Sequence, residues 1–377
     1  MRWKRILFLA CGHMASDFYP GMLAPLLPLI TKRYGWSLAQ AGFLVMVMQI
    51  FSNAMQPLFG VLNDRRPLRW FLWAGPLLSA APFAFLLSIH RLDLMMVMLS
   101  IAGFGVAMYH PVSVVAAGHI AHENRKGISM ALFSSGGSVG VTIAPLAVVL
   151  IVEVLGERFM PLLALPAIIM AAYFIRDKSI VVSEHHSHSS REMLLSLIGN
   201  RRELFVLWLV SLFRAVVYSL IQAFLPMLTI ARGATYAQSA YVLSSMLLAG
   251  MVGLFIGGHL SDKYGRRKIM AISMLTASPL LYAFLYSRGA LSMVLLLLGM
   301  LALSSTIPVN IILAQKAAPK LAGMASSLVM GVSFMMGGLA APPFGALADK
   351  IGIEPAMNVI FIFPVLGGIT VFSLRKE

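Results

Sequence analysis

Gly60-Val-Leu62-Asn-Asp64-Arg65-Arg66-Pro67-Leu68-Arg69 and Gly258-His-Leu260-Ser-Asp262-Lys263-Tyr264-Gly265-Arg266-Arg267-Lys268 are two versions of one pattern, Gly-x-Leu-x-Asp-basic, set 198 residues apart. Other matches keep the order. Pro28 repeats as Pro226 and Ala39-Gln40 as Ala237-Gln238 at 198, Pro111-Val112 as Pro308-Val309 at 197, and Gly127 as Gly323 at 196. Ser37-x-x-Gln40 and Thr235-x-x-Gln238 both read as capping boxes that open a helix. Ordered matches with a slowly drifting offset identify the chain as two copies of one unit.

Each copy holds six apolar runs. In the first they lie at about 6–30, 40–62, 69–88, 93–118, 128–152 and 159–175. In the second they lie at about 205–230, 238–260, 268–287, 291–315, 323–346 and 356–374. A spanning helix needs roughly 20 mostly apolar residues, so each run predicts one crossing. The composition agrees. Of 377 residues 59% are hydrophobic and 11% charged, against about 25% charged in a soluble chain. The mean hydropathy is +0.86. The expected fold is therefore all-α, with twelve transmembrane helices in two six-helix pseudo-symmetric bundles, 1–175 and 205–377, joined by a polar linker at 176–204.

The net charge of +15 could serve nucleic acid, but the basic residues sit in short clusters between apolar runs, which is the positive-inside pattern. With the N-terminus inside, 21 of the 29 Lys and Arg fall in cytoplasmic segments, 7 in outer segments, and Arg214 alone inside a run. The expectation is a multi-pass protein of the cell (inner) membrane with both termini cytoplasmic and no nucleic-acid partner. The N-terminal stretch up to Cys11 mimics a signal peptide, but its apolar run continues to about Ile30, so an uncleaved first helix is expected. With one cysteine, no intramolecular disulfide forms.

The two loop motifs resemble the loop signature of the major facilitator superfamily, the second copy more fully because Pro67 replaces a glycine in the first. A narrower resemblance is to the fosmidomycin-resistance type of efflux protein. It rests on Gly12-His13-x-x-x-Asp17-x-Tyr19-x-Gly21, Gln56-Pro57-Leu58-Phe59-Gly60, Tyr109-His110-Pro111 and the stretch from Arg125 to Gly137. Val112 departs from it, since those proteins tend to carry a glutamate after the His-Pro pair. The fourth run also lacks the arginine of many drug antiporters, and the fifth matches the antiporter glycine-proline pattern only in part, through Gly136, Gly137, Gly140 and Pro145. That small-residue face also suits close helix packing. The resemblance implies a secondary transporter with its site at mid-membrane between the halves. It implies a gating role for Asp64, Arg65, Asp262 and Arg266 at the inner ends.

Charged groups inside spans are costly and mark functional positions. His13 and Asp17 lie four residues apart in the first run, hence on one helical face. Such a pair can share a proton, and histidine titrates near neutrality. It is expected to sense protons or bind substrate, against a purely structural hydrogen bond. Arg214 lies near the repeat position of Asp17 and has three readings. It binds an anionic substrate, pairs with Asp17 across the halves, or snorkels to the interface. His110 precedes Pro111 in the fourth run, and its repeat counterpart is Ile307, so the proline does not demand the histidine. Tyr19, Gln49, Asn53, Gln56, Tyr109, Gln222 and Asn310 are candidate cavity contacts, with plain interhelical hydrogen bonding as the alternative.

The tract Glu184-His185-His186-Ser-His188 reads as solvated linker more than as a metal site. No phosphate-binding Gly-Lys loop and no nucleophile elbow occur in the sequence, so neither an ATP-driven pump nor a hydrolase is expected. The reading is a monomeric, cofactor-free transporter in the lipid bilayer that exports a small organic solute or drug, with the proton as coupling ion. Uptake or facilitated diffusion of an organic anion, and a transport-inactive membrane interaction protein, stand as alternatives.

Overall fold

The computed structural model of the chain describes residues 2–120, 126–177, 180 and 200–374. The histidine tract at 184–188 and most of the expected linker lie outside the described residues, as do Arg125, Lys376 and the side chain of Asp64. Helix α1 (Arg2–Tyr34) is 33 residues long. Eleven further helices are long and apolar enough to cross a membrane. They are α2 (Leu38–Asn63), α3 (Phe71–Ser88), α4 (Leu92–Ile120), α5 (Ile128–Leu155), α6 (Glu157–Arg176), α7 (Arg201–Ala231), α8 (Tyr236–Tyr264), α9 (Arg266–Tyr286), α10 (Gly289–Ala317), α11 (Gly323–Ile351) and α12 (Ile353–Val371). Each expected run holds one of these helices. Helix α1 is the more polar crossing, with His13, Ser16 and Asp17 in its middle.

The packing is the same in both halves. Helix α1 packs on α5 as α7 does on α11, α2 on α4 as α8 on α10, and α3 on α4 as α9 on α10. Between halves, α2 meets α11, α8 meets α5, and α1 meets α7. These are the contacts of two six-helix bundles related by a pseudo-twofold axis.

The repeat extends to individual hydrogen bonds. Both capping boxes are formed, with Gln40 N–H donating to Ser37 Oγ and Gln238 N–H to Thr235 Oγ1, each at 3.2 Å. Arg33 pairs with Glu157 and donates to the Leu87 carbonyl at 3.1 Å. Arg232 pairs with Glu354 and donates to the Leu285 carbonyl at 2.7 Å. Arg69 donates to the carbonyls of Phe174 and Asp177, and Arg267 to those of Val371 and Phe372. In both halves an arginine thus ties the first helix of the bundle to the last at one end of the molecule, and a second arginine ties the third helix to the last at the other.

At the end carrying Ser37 and Tyr236, the halves are locked together. Asp349, near the end of α11, accepts the N–H groups of Leu38 at 2.8 Å and Ala39 at 3.0 Å. Those donors have no partner within α2, and the positive end of the helix favours a carboxylate there. Gly345 lies against the Leu38 backbone and Gly42 against Ala341 and Pro342, an approach that a Cβ at either glycine would block. Tyr236 Oη donates to the Pro25 carbonyl at 2.9 Å. Helix α11 carries a π-helical turn, Leu328–Val332, in its first half.

Candidate functional site

Between the halves lies a cavity of about 260 Å³ lined by α1, α2, α4 and α5 on one side and by α7 and α11 on the other. Asp17, His110, Gln49, Asn53 and Gln56 face it from the first half, and Tyr218, Ser219, Gln222 and Phe334 from the second. Of the residues predicted to line a cavity, Asp17, Gln49, Asn53, Gln56, His110 and Gln222 are the ones brought together.

Asp17 is held by two histidines. His110 Nε2 lies 3.0 Å from Asp17 Oδ1, and His13 Nε2 lies 3.3 Å from Asp17 Oδ2. The other ring nitrogen of His13 is 3.0 Å from the Phe133 carbonyl. A carbonyl only accepts, so His13 Nδ1 carries a hydrogen. A neutral His13 then points a bare lone pair at Asp17. The His13–Asp17 contact is a hydrogen bond only while one further proton is present, on the imidazole or on the carboxyl. His110 meets Asp17 as a neutral donor through Nε2, with its buried Nδ1 unpartnered. One proton therefore completes the His13–Asp17 hydrogen bond and neutralises the charge of the cluster. The side chains of His13, Asp17 and His110 are 15%, 18% and 20% exposed, and Asp17 and His110 line the cavity. Three ligand-type atoms within 4.8 Å of one another could also surround a cation. The two direct contacts at hydrogen-bond length are what a shared proton requires.

The space for this cluster comes from Gly137 on α5. A Cβ there would sit 2.7 Å from His13 Nε2 and against Asp17 Oδ2 as well. Its neighbours Gly136 and Gly140 press on the Ala10 and Met14 carbonyls, so the small-residue face of α5 packs α1 closely and also seats the cluster.

Arg214 is 1% exposed, so it does not snorkel. It does not meet Asp17 either, which is occupied by the histidines. Its guanidinium lies 5.1 Å from the centre of the Phe334 ring, and Nη2 is 3.9 Å from Met330 Sδ. Nε and Nη1 are buried without partners. A cation–π contact gives roughly 2 kcal/mol when desolvated, against the several kcal/mol that burying an unpaired charge costs. Phe334 stands between this charge and the cavity.

Three expected cavity contacts lie elsewhere. Tyr19 is packed inside the first bundle, its hydroxyl donating to the Leu163 carbonyl at 3.1 Å and accepting from Ala167 N–H at 3.2 Å. Tyr109 Oη donates to the Leu9 carbonyl at 2.9 Å. Asn310 Nδ2 donates to Leu207 O at 3.0 Å and to Ser211 Oγ at 2.5 Å, joining α10 to α7. All three make these hydrogen bonds within one bundle, and none of them lines the cavity. Gln49, Asn53 and Gln56 follow α2 toward its Asp64 end, with Asn53 Nδ2 donating to Gln49 Oε1 at 2.8 Å and Gln56 Nε2 to the Ser52 carbonyl at 2.8 Å. Arg266 pairs with Asp262 at 3.4 Å one turn away in the second half, and Arg65 is exposed.

Tyr218, Phe334, Gly137 and Asp349 have structural claims on function and were not among the site residues expected from the sequence. Gly137 was one of several small residues on α5. Asp349 carried a plainer signal. Gly345-Ala-Leu347-Ala-Asp349-Lys350 is a third copy of the Gly-x-Leu-x-Asp-basic pattern. It lies at the opposite end of the molecule from the other two, at the α11–α2 lock.

The sequence profile of the Major Facilitator Superfamily matches residues 9–342. The fosmidomycin resistance protein of Escherichia coli (strain K12) is 26% identical over 97% of this chain and 91% of its own length. The uncharacterized MFS-type transporter YfnC of Bacillus subtilis (strain 168) is 27% identical over 99% of this chain and 93% of its own length. Among solved structures, a D-xylose–proton symporter superposes with a TM-score of 0.82 at 13% identity, covering 100% of this chain and 98% of its own. That likeness concerns the fold.

Proposed function

The chain belongs to the Major Facilitator Superfamily of membrane transporters, and from that premise we propose a proton-coupled exporter of a small organic solute that works by alternating access. The carrying observation is the His13–Asp17 contact, a hydrogen bond only while one proton is held there. The solute occupies the cavity beside it. Proton binding and release at this cluster change the charge of the cavity wall, which couples the two fluxes. The other groups facing the cluster are the Tyr109 hydroxyl, already given to Leu9, and Tyr218 across the cavity. The resistance phenotype in the name of one relative supports export as the direction.

The basic bias of the loops supports cytoplasmic termini, with Ser37, Tyr236 and Asp349 outside. In that orientation the outer face is shut by Asp349 on the α2 N-terminus. Asp64, Arg65, Asp262 and Arg266 take the gating role at the inner ends. Residues 1–175 and 205–377 are the two rocking bodies, and one chain, holding both walls of the cavity, is the working unit.

The test uses purified protein in vesicles loaded with a pH-sensitive dye and a panel of solutes. Proton movement opposite to a solute gradient is expected. Solute flux of equal size with and without a pH gradient would establish facilitated diffusion instead, and no flux for any solute would leave a non-transporting membrane protein.

A further inference from the structure

We infer that the transported solute carries an anionic group and that Arg214, behind Phe334, is its subsite. The inference rests on the proposed reading of the cavity as the solute site.

Four observations carry it. Arg214 is the buried charge whose nitrogens find no oxygen partner among the described residues, with Nε and Nη1 orphaned and Nη2 left to a methionine sulfur. A guanidinium has five N–H donors in a fork that fits a carboxylate or a phosphate-type oxyanion. Secondly, bundle packing does not demand the charge. The position repeats as Ser16 in the first half, where a small hydroxyl fills the same place in the helix.

Thirdly, the cover is aromatic and belongs to the cavity. Phe334 lines the cavity on one side and stacks on the guanidinium on the other, with the ring of Tyr218 edge-on to it at 5.8 Å. A rotation of one phenylalanine side chain opens the charge to the solute, and the Tyr218 hydroxyl stands beside the opening. Fourthly, the cover follows an irregular turn of helix. The π-helical turn Leu328–Val332 holds Met330 and ends just before Ser333–Leu339, which carries Phe334. Single π-helical turns inside α-helices are found frequently at functional sites. A buried unpaired charge lowers the stability of the empty protein, and a site kept at that cost is one that a ligand completes.

The test compares the wild type, Arg214→Met and Phe334→Leu as full-length purified proteins in detergent. Each is melted alone and with benzoate, phenyl phosphate, benzamide or phenol. The first two probes distinguish a carboxylate from a phosphate, and the last two are their neutral counterparts. Wild type is expected to melt several degrees higher with at least one anion than with its neutral counterpart. Arg214→Met is expected to lose that selective rise and to melt above wild type without ligand. Phe334→Leu is expected to show the selective rise at lower anion concentration.

Three results overturn the inference. One is no anion-selective rise in wild type, and another is a rise that survives Arg214→Met. The third is Arg214→Met melting below wild type without ligand, which makes Arg214 a structural residue whatever the ligands do. Proton flux in vesicles reads the coupling separately. Intact coupling with no anion selectivity sinks this inference alone, and anion selectivity without coupling sinks the proton reading alone.

Discussion

A methyl group at residue 137 would meet His13 Nε2 at 2.7 Å and collide with Asp17, so Gly137→Ala drives a wedge into the proton cluster. Overpacking of this kind costs about 1–3 kcal/mol. The variant is expected to insert and fold, to melt a few degrees lower, and to lose most gradient-driven transport. Melting curves beside vesicle uptake check this, and wild-type coupling in Gly137→Ala would remove the cluster geometry from the account. The charged members were legible in the sequence, because a histidine or a carboxylate inside an apolar run is conspicuous. Their meeting was not, since His110 lies 93 residues beyond Asp17 and only the α1–α4 packing joins them. Tyr19, Tyr109 and Asn310 were misplaced for a related reason. A polar residue in an apolar helix declares a need for a partner, and the run alone does not say whether a cavity or a neighbouring carbonyl meets it. Arg214 was legible as a buried charge, but its cover by Phe334, 120 residues away, was not.

At the scale of elements, the α2–α11 lock is where a small change has a long reach. A carboxylate on a helix N-terminus contributes about 0.3–1 kcal/mol when exposed and up to ~2 kcal/mol when partly buried. Asp349 is exposed, so removing its charge with Asp349→Asn is expected to shift the balance toward an outward-open state by roughly two- to fivefold, since 1.4 kcal/mol is a factor of ten. Spin labels on Arg158→Cys and Tyr286→Cys, in a Cys11→Ser background, would report the separation of the outer ends. An unchanged distance distribution would show that the lock carries no conformational energy. Helix starts were well legible. Ser37 and Thr235, with glutamines three residues on, form their capping boxes as expected. The arginine ties at Arg33, Arg69, Arg232 and Arg267 were not, because an arginine pairing with a distant backbone carbonyl leaves no local pattern. Asp349 lay in plain view as a third Gly-x-Leu-x-Asp-Lys, but at an end where the charge bias gave no reason to seek a gate.

For the whole molecule, the repeat explains the scaffold, and its breaks hold the residues of the proposed site. Helix pairs, capping boxes and arginine ties recur across the pseudo-twofold, so both halves carry the same framework. The positions that differ are chemical. Asp17, His13 and His110 have no charged counterparts in the second half, and Arg214 has only Ser16 in the first. The cavity wall therefore carries Asp17 and His110 on one side, and on the other a buried cation stands behind Phe334. The most direct test of proton coupling at this cluster is solute transport by Asp17→Asn in vesicles, measured as gradient-driven accumulation and, separately, as solute-for-solute exchange without a gradient. The account predicts that accumulation is lost and insensitive to pH while exchange continues, because the cavity stays open to solute but no longer trades a proton. Accumulation in Asp17→Asn at the wild-type level, with the wild-type dependence on pH, would contradict it.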